Sequence, residues 1–150
     1  MFQPYQIIAS EEIPTMRMQV LASFVANKIV TSAVEECTGR GYLVTASVVD
    51  RNGNLVALLR HPLSGTHTIK VSQRKAFSSA TLRAKTSEIA LRRSDLNFAP
   101  GILLIVGGIP IQFNGNFYGG VGVAGAPPEI DELCAQAGID AISDIMEFAD

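Results

Sequence analysis

An α/β (α+β) sandwich is the fold this sequence predicts: a five-stranded antiparallel sheet flanked by helices in the order α-β-β-α-α-β-β-β-α. Three observations predict it. Apolar runs are joined by very short turns, Asn52-Gly53 and Asn114-Gly115 among them, which tolerate positive φ and force antiparallel pairing. Helical periodicity marks both ends of the chain, and a basic helix occupies its middle. One sheet covered by those helices is the economical way to bury both kinds of surface.

The elements follow in order. Residues 1–14 form an irregular arm, interrupted by Pro4 and Pro14, with Phe2, Tyr5, Ile7 and Ile8 available for packing. Over residues 15–37, Met18, Leu21, Val25 and Ile29 recur at helical spacing, and Gly39 and Gly41 supply the stop. Residues 43–49 and 55–60 are strands around the turn at Asp50 to Asn54, where Asp50 suits a backbone-capping role. A loop at 61–65 leads into the basic helix, residues 67–83, with Ile69, Ala76, Phe77 and Ala80 as its buried stripe. A short helix follows over 86–92, with Thr86 as its cap. Residues 102–106 read as a fully buried strand, 109–113 and 117–124 as two more. Pro128 opens a final helix whose apolar residues run from Ile130 to Phe148.

The 150 residues suit one domain, 1–150, and 47% are hydrophobic with a mean hydropathy of +0.25. Only 17% are charged, so apolar surface is left for contacts between subunits. A net charge of −2 and a pI near 5.7 argue against nucleic acid as a partner. No apolar run is long enough for a membrane span and no signal pattern opens the chain, so a cytoplasmic location is expected. Cys37 and Cys134, outside any CxxC or Cys-His cluster, are expected as free thiols.

Charge is unevenly placed. Arg60, Lys70, Arg74, Lys75, Arg83, Lys85, Arg92 and Arg93 face a single acid, Glu88, between Arg60 and Arg93. Seven acids and no base lie between Ala126 and Asp150. Two solvated faces, an anion site beside the basic helix, or pairing between the basic and acidic faces of different subunits would each account for this.

The candidate residues cluster near that helix. His61 and His67 lie six apart across a Pro-Gly loop, so they are not a metal pair on one helical face. Either suits a haem iron or a general base. Lys70 and Arg74 share a face with His67. Lys75 adjoins the packing residues Ala76 and Phe77, so it is the least exposed of the cations and needs an anionic partner or a lowered pKa. It can hold a carboxylate or propionate, or bond carbonyls of a neighbouring element. Gly120, Gly122 and Gly125 satisfy G-x-G-x-x-G, but Pro127 and Pro128 remove N–H groups and Glu129, Asp131 and Glu132 repel a pyrophosphate. No nucleotide is expected there; the glycines suit close packing instead.

Residues 47–56 (SVVDRNGNLV), Lys75-Ala76, Gly107-Gly108-Ile109-Pro110-Ile111 and residues 119–125 (GGVGVAG) together resemble the GlcG/HbpS family, which includes the haem-binding protein HbpS and the C-terminal domain of PduO-type proteins. The resemblance spans residues 41–142. It implies a profilin-like sandwich and a homo-oligomer, from dimer up to octamer. It also implies a small anionic ligand or haem, with an accessory role beside glycolate, glycerol or diol metabolism or in redox response. On that reading His61 or His67 reaches the iron while Arg60, Arg74 and Lys75 hold propionates. Two alternatives stand beside it: an enzyme acting on a small hydroxy- or oxo-acid, with His67 as base and Lys75 as anion holder, and an accessory subunit of a diol or glycerol enzyme.

Overall fold

The computed structural model describes residues 12–149. Its elements are α1 (Ser23–Gly39), β1 (Thr45–Asp50), β2 (Leu55–Arg60), α2 (His67–Leu82), α3 (Thr86–Arg92), a 3-10 turn (Ser94–Phe98), β3 (Gly108–Phe113), β4 (Asn116–Ala124), α4 (Pro128–Asp140) and α5 (Ser143–Glu147). The sheet has four strands, in the order β2-β1-β4-β3, and every neighbouring pair is antiparallel.

Strand alternation divides the sheet into two unlike faces. Ala46, Val48, Ile109, Ile111, Val121 and Val123 point to one face, where they form the main core with Ala26, Ile29, Val30 and Ala33 of α1 and Ala135 and Ile139 of α4. Thr45, Ser47, Gly108, Gly120 and Gly122 point to the other face, beneath α2. A Cβ at Gly122 would come within 2.5 Å of the Ala76 amide nitrogen, and one at Gly120 within 2.5 Å of the Ser79 hydroxyl. The helix therefore rests directly on strand backbone. Only small residues fit this contact, and its buried hydroxyls must bond one another: Thr45 to Thr68 at 2.8 Å, and Ser47 to Ser72 at 2.7 Å.

Both hairpin signals become turns. Asp50 Oδ1 accepts the N–H groups of Asn52 and Asn54, and Gly53 takes φ 85°. Asn114 and Gly115 both have positive φ, at 53° and 79°.

Five expectations are corrected. Residues 102–106 are not a strand, so the sheet has four strands rather than five. Side chains take up their backbone groups: Leu103 N–H donates to Ser78, Leu104 N–H to Asn97, and the Ile102 and Ile105 carbonyls accept from Arg74 and Thr86. Thr86 is thereby drawn away from capping α3. The first helix starts at Ser23; residues 15–22 carry no regular secondary structure, and Met16, Met18 and Val20 there are exposed. The last helix breaks into α4 and α5 where the Ser143 hydroxyl takes the Asp140 carbonyl.

Cys37 and Cys134 are the fifth correction. They are joined in a disulfide between α1 and α4, with Cα atoms 5.7 Å apart, rather than free. The two helices lie close enough for this because Gly138 meets α1 backbone, where a Cβ would fall 2.7 Å from the Ile29 carbonyl. Structural disulfides are rare in the cytosol, so the pairing weighs against the cytoplasmic expectation. No helix among the described residues is long and apolar enough to cross a membrane. The packing expected of the arm's Phe2, Tyr5, Ile7 and Ile8 lies outside the described residues.

Candidate functional site

The α2 helix presents different chemistry on its two sides. Its sheet side carries Thr68, Ser72, Lys75, Ala76 and Ser79, all buried. Its outer side carries His67, Lys70, Arg74 and Phe77, spaced three, four and three residues apart in one stripe.

Lys75 lies on the inner side. Its Nζ donates to Asp131 Oδ2 at 3.0 Å and to the Val123 carbonyl at 2.8 Å, and each of the two charged side chains is 2% exposed. Asp131 Oδ1 also accepts the Ala126 N–H. Burial pushes the Lys75 ammonium below its usual range, with Asp131 opposing. Burial likewise pushes the Asp131 carboxyl up against the pull of Lys75. The anion that Lys75 holds is the chain's own carboxylate, and its charge does not reach the surface. A buried ammonium requires such a set of partners, but their positions, 48 and 56 residues away, were not visible in the helix itself.

Arg60 is also turned inward on the chain. One guanidinium nitrogen donates to the carbonyls of His61, Pro62 and Ser64, which closes the loop ahead of α2. His61 sits in that loop with Nδ1 accepting the Leu63 N–H at 3.1 Å. In a neutral imidazole that bond leaves Nε2 carrying the proton, so neither ring nitrogen of His61 offers a ready lone pair. His67 is exposed at the start of α2, and among the described residues nothing hydrogen-bonds its ring. The lack of a side chain at Gly65 leaves room for it, since a Cβ there would lie 2.7 Å from His67 Cε1.

The outer stripe borders a cleft of about 380 Å³, lined by Lys70, Gln73, Arg74 and Phe77 of α2 and by Val49 and Leu55 of the β1–β2 hairpin. Val49, Leu55 and Phe77 make an apolar floor, and Lys70 and Arg74 place two cations on its rim. Arg74 Nη2 donates to the Ile102 carbonyl at 3.0 Å, which fixes the guanidinium at the cleft edge. His67 stands one turn beyond Lys70, about 4.5 Å further along the helix axis. The structure thus groups His67 and Arg74 along one surface and places Lys75, Arg60 and His61 elsewhere. Lys70 lies on the His67 face as its spacing predicts, whereas Phe77, expected in the buried stripe, and the hairpin residues Val49 and Leu55 are lining that the sequence reading does not include.

The glycines of the G-x-G-x-x-G sequence lie in backbone contacts. Gly120 and Gly122 are under α2, and Gly125, at φ 126°, abuts the Leu43 carbonyl. Strand β4 has antiparallel neighbours on both sides, whereas a dinucleotide site needs a parallel sheet.

Comparison with known proteins gives a consistent picture. The family described as Haem degrading protein HbpS-like matches residues 21–140. A double mutant of HbpS from Streptomyces reticuli is 35% identical in crystal structure, with a TM-score of 0.82, covering 90% of this chain and 95% of that one. An uncharacterized 15.0 kDa protein in the dhaT-dhaS intergenic region of Citrobacter freundii is 32% identical over 110 residues, 68% of this chain and 78% of that protein. Protein GlcG of Escherichia coli K12 is 29% identical over 109 residues, 70% of this chain and 81% of that protein.

Proposed function

The chain belongs to the HbpS-like family, and from that premise we propose that it binds haem or a related tetrapyrrole along the outer face of α2. The observation that carries this reading is the cleft itself. An apolar floor of Val49, Leu55 and Phe77 suits a flat, largely apolar ring, and Lys70 and Arg74 on the rim suit its carboxylates. His67, with no hydrogen bond to its ring among the described residues, is the side chain that would reach the metal. Bound haem would supply a redox-active iron; the chain's part is to hold the ring, pair the carboxylates and orient one imidazole.

Titration with hemin tests the reading. The wild-type protein gives a saturable Soret shift, and His67→Ala changes the band position or weakens binding, whereas His61→Ala leaves both as they were. A protein that produces no Soret shift, or a His67→Ala variant that reproduces the wild-type spectrum and affinity, overturns it.

The homo-oligomer and the accessory role in small-molecule metabolism remain part of this proposal. Phe24, 67% exposed on α1, and the strand β2, an edge of the sheet among the described residues, offer surface of the kind a second copy covers. Light scattering on the purified protein measures the subunit count.

A further inference from the structure

At the opposite end of α2 the helix stops on an arginine in an unusual conformation. Arg83, the residue after Leu82, has φ 51° and ψ 39°, in the left-handed region. Glycine is the usual residue there, and any residue with a Cβ at that position costs on the order of 1 kcal/mol. The conformation lays the guanidinium over Phe117, 4.6 Å from the ring centroid, and Arg51 of the β1–β2 turn lies 5.7 Å from the same ring. Two like charges are thus gathered at one buried aromatic ring.

Beside Arg83 is a cleft of about 290 Å³ against the β3–β4 hairpin, lined also by Gln112, Asn114, Asn116 and Phe117. Asn114 Nδ2 donates to the Met146 carbonyl at 2.9 Å, which anchors the hairpin tip to α5. The side-chain amides of Gln112 and Asn116 are exposed and, among the described residues, make no hydrogen bond. A guanidinium carries five N–H donors, so Arg83 keeps capacity for a ligand beside its other contacts.

We infer that this cleft is a second binding site, for a small molecule bearing a phosphate or carboxylate group. Arg83 pairs with the oxyanion, Gln112 and Asn116 donate to its remaining oxygens, and Arg51 adds positive potential from across Phe117. The left-handed arginine is the feature that separates this assignment from a structural cap. A cap would be better served by glycine, whereas an anion site needs the guanidinium. The cleft lies at the far end of α2 from His67 and does not depend on the tetrapyrrole reading.

Calorimetric titration of the whole protein with inorganic phosphate, and separately with citrate, tests the inference and distinguishes the two ligand groups. At least one probe binds saturably and shifts the NMR signals of the Gln112 and Asn116 side-chain amides. Arg83→Gly weakens that binding by about tenfold, the loss of one charge-assisted pair. The same variant melts at the wild-type temperature or higher, because glycine suits φ 51°, and takes up hemin as the wild type does. Absence of binding by both probes overturns the inference, as does unchanged affinity in Arg83→Gly. A melting temperature several degrees lower in that variant also overturns it, since Arg83 would then be a structural cap.

Discussion

Lys75 Nζ and Asp131 Oδ2 meet at 3.0 Å beside the end of β4, joining α2 and α4 from the two faces of the sheet, with both side chains almost wholly withdrawn from water. Burial outweighs attraction for each: the Asp131 pKa is raised and the Lys75 pKa lowered. A raised carboxyl pKa contributes stability that is present below its unfolded value of 3.8 and is lost as pH rises through the folded value. A lowered ammonium pKa contributes stability that is present above 10.5 and is lost as pH falls through the folded value. Across the neutral range the two ionised groups are therefore a cost that their mutual bond only partly offsets. Asp131→Ala or Lys75→Ala strands one buried charge and costs roughly 3–5 kcal/mol, while the double replacement Lys75→Met with Asp131→Leu costs much less. Urea denaturation at neutral pH measures all three, and a double variant less stable than either single one would refute the account.

The seat of α2 on bare strand backbone gives a second expectation. Gly122→Ala places a methyl within 2.5 Å of the Ala76 amide nitrogen, so α2 must lift from the sheet. The loss is about 1–3 kcal/mol by overpacking. Gly39→Ala, with nothing within 4 Å of its added Cβ, stays within about 0.5 kcal/mol. Denaturation midpoints of the two variants, measured side by side, check the contrast.

The disulfide predicts a chemical result and a thermodynamic one. Unfolded without reductant, the purified protein shows no titratable thiol, because Cys37 and Cys134 are its only cysteines. Cys37→Ser with Cys134→Ser removes a link spanning 97 residues and costs roughly 2–5 kcal/mol. Thiol titration and melting curves, with and without reductant, measure both.

On the outer face of α2, the rim cations are expected to set affinity rather than ligation. Arg74→Ala and Lys70→Ala each weaken hemin binding by up to about tenfold, leaving the Soret maximum of the bound form in place. Because both side chains are exposed, the effect shrinks as salt is added. Hemin titrations at two ionic strengths test this; a shifted maximum in Arg74→Ala would place that residue nearer the metal than the cleft suggests.

Much of the candidate site was legible and some was not. The periodicity that set His67, Lys70 and Arg74 on one face of a helix survives in the structure, because helical spacing is a property of the local chain. The assignment of Lys75 and Arg60 to a ligand did not anticipate their internal partners. Arg60 is satisfied by carbonyls two to four residues on, but only once the loop has closed. Lys75 is satisfied by Val123 and Asp131, brought close by the sheet and the start of α4. The apolar floor of the cleft was equally hidden, since Val49 and Leu55 reach Phe77 only after the β1–β2 hairpin packs beside α2.

By itself the sequence determined the family, the antiparallel hairpins and the central helix. Asn52-Gly53 and Asn114-Gly115 need only their own backbone freedom to turn the chain, and α2 needs only its own periodicity. Tertiary structure decided what depends on distant partners. Residues 102–106 are apolar enough for a strand, yet Ser78, Asn97 and Thr86 satisfy their backbone instead of a fifth ladder. Cys37 and Cys134 read as separate thiols until α1 and α4 packed together. In each case the deciding hydrogen bond or contact joins residues that are remote in the chain, and only the packed fold brings them within reach.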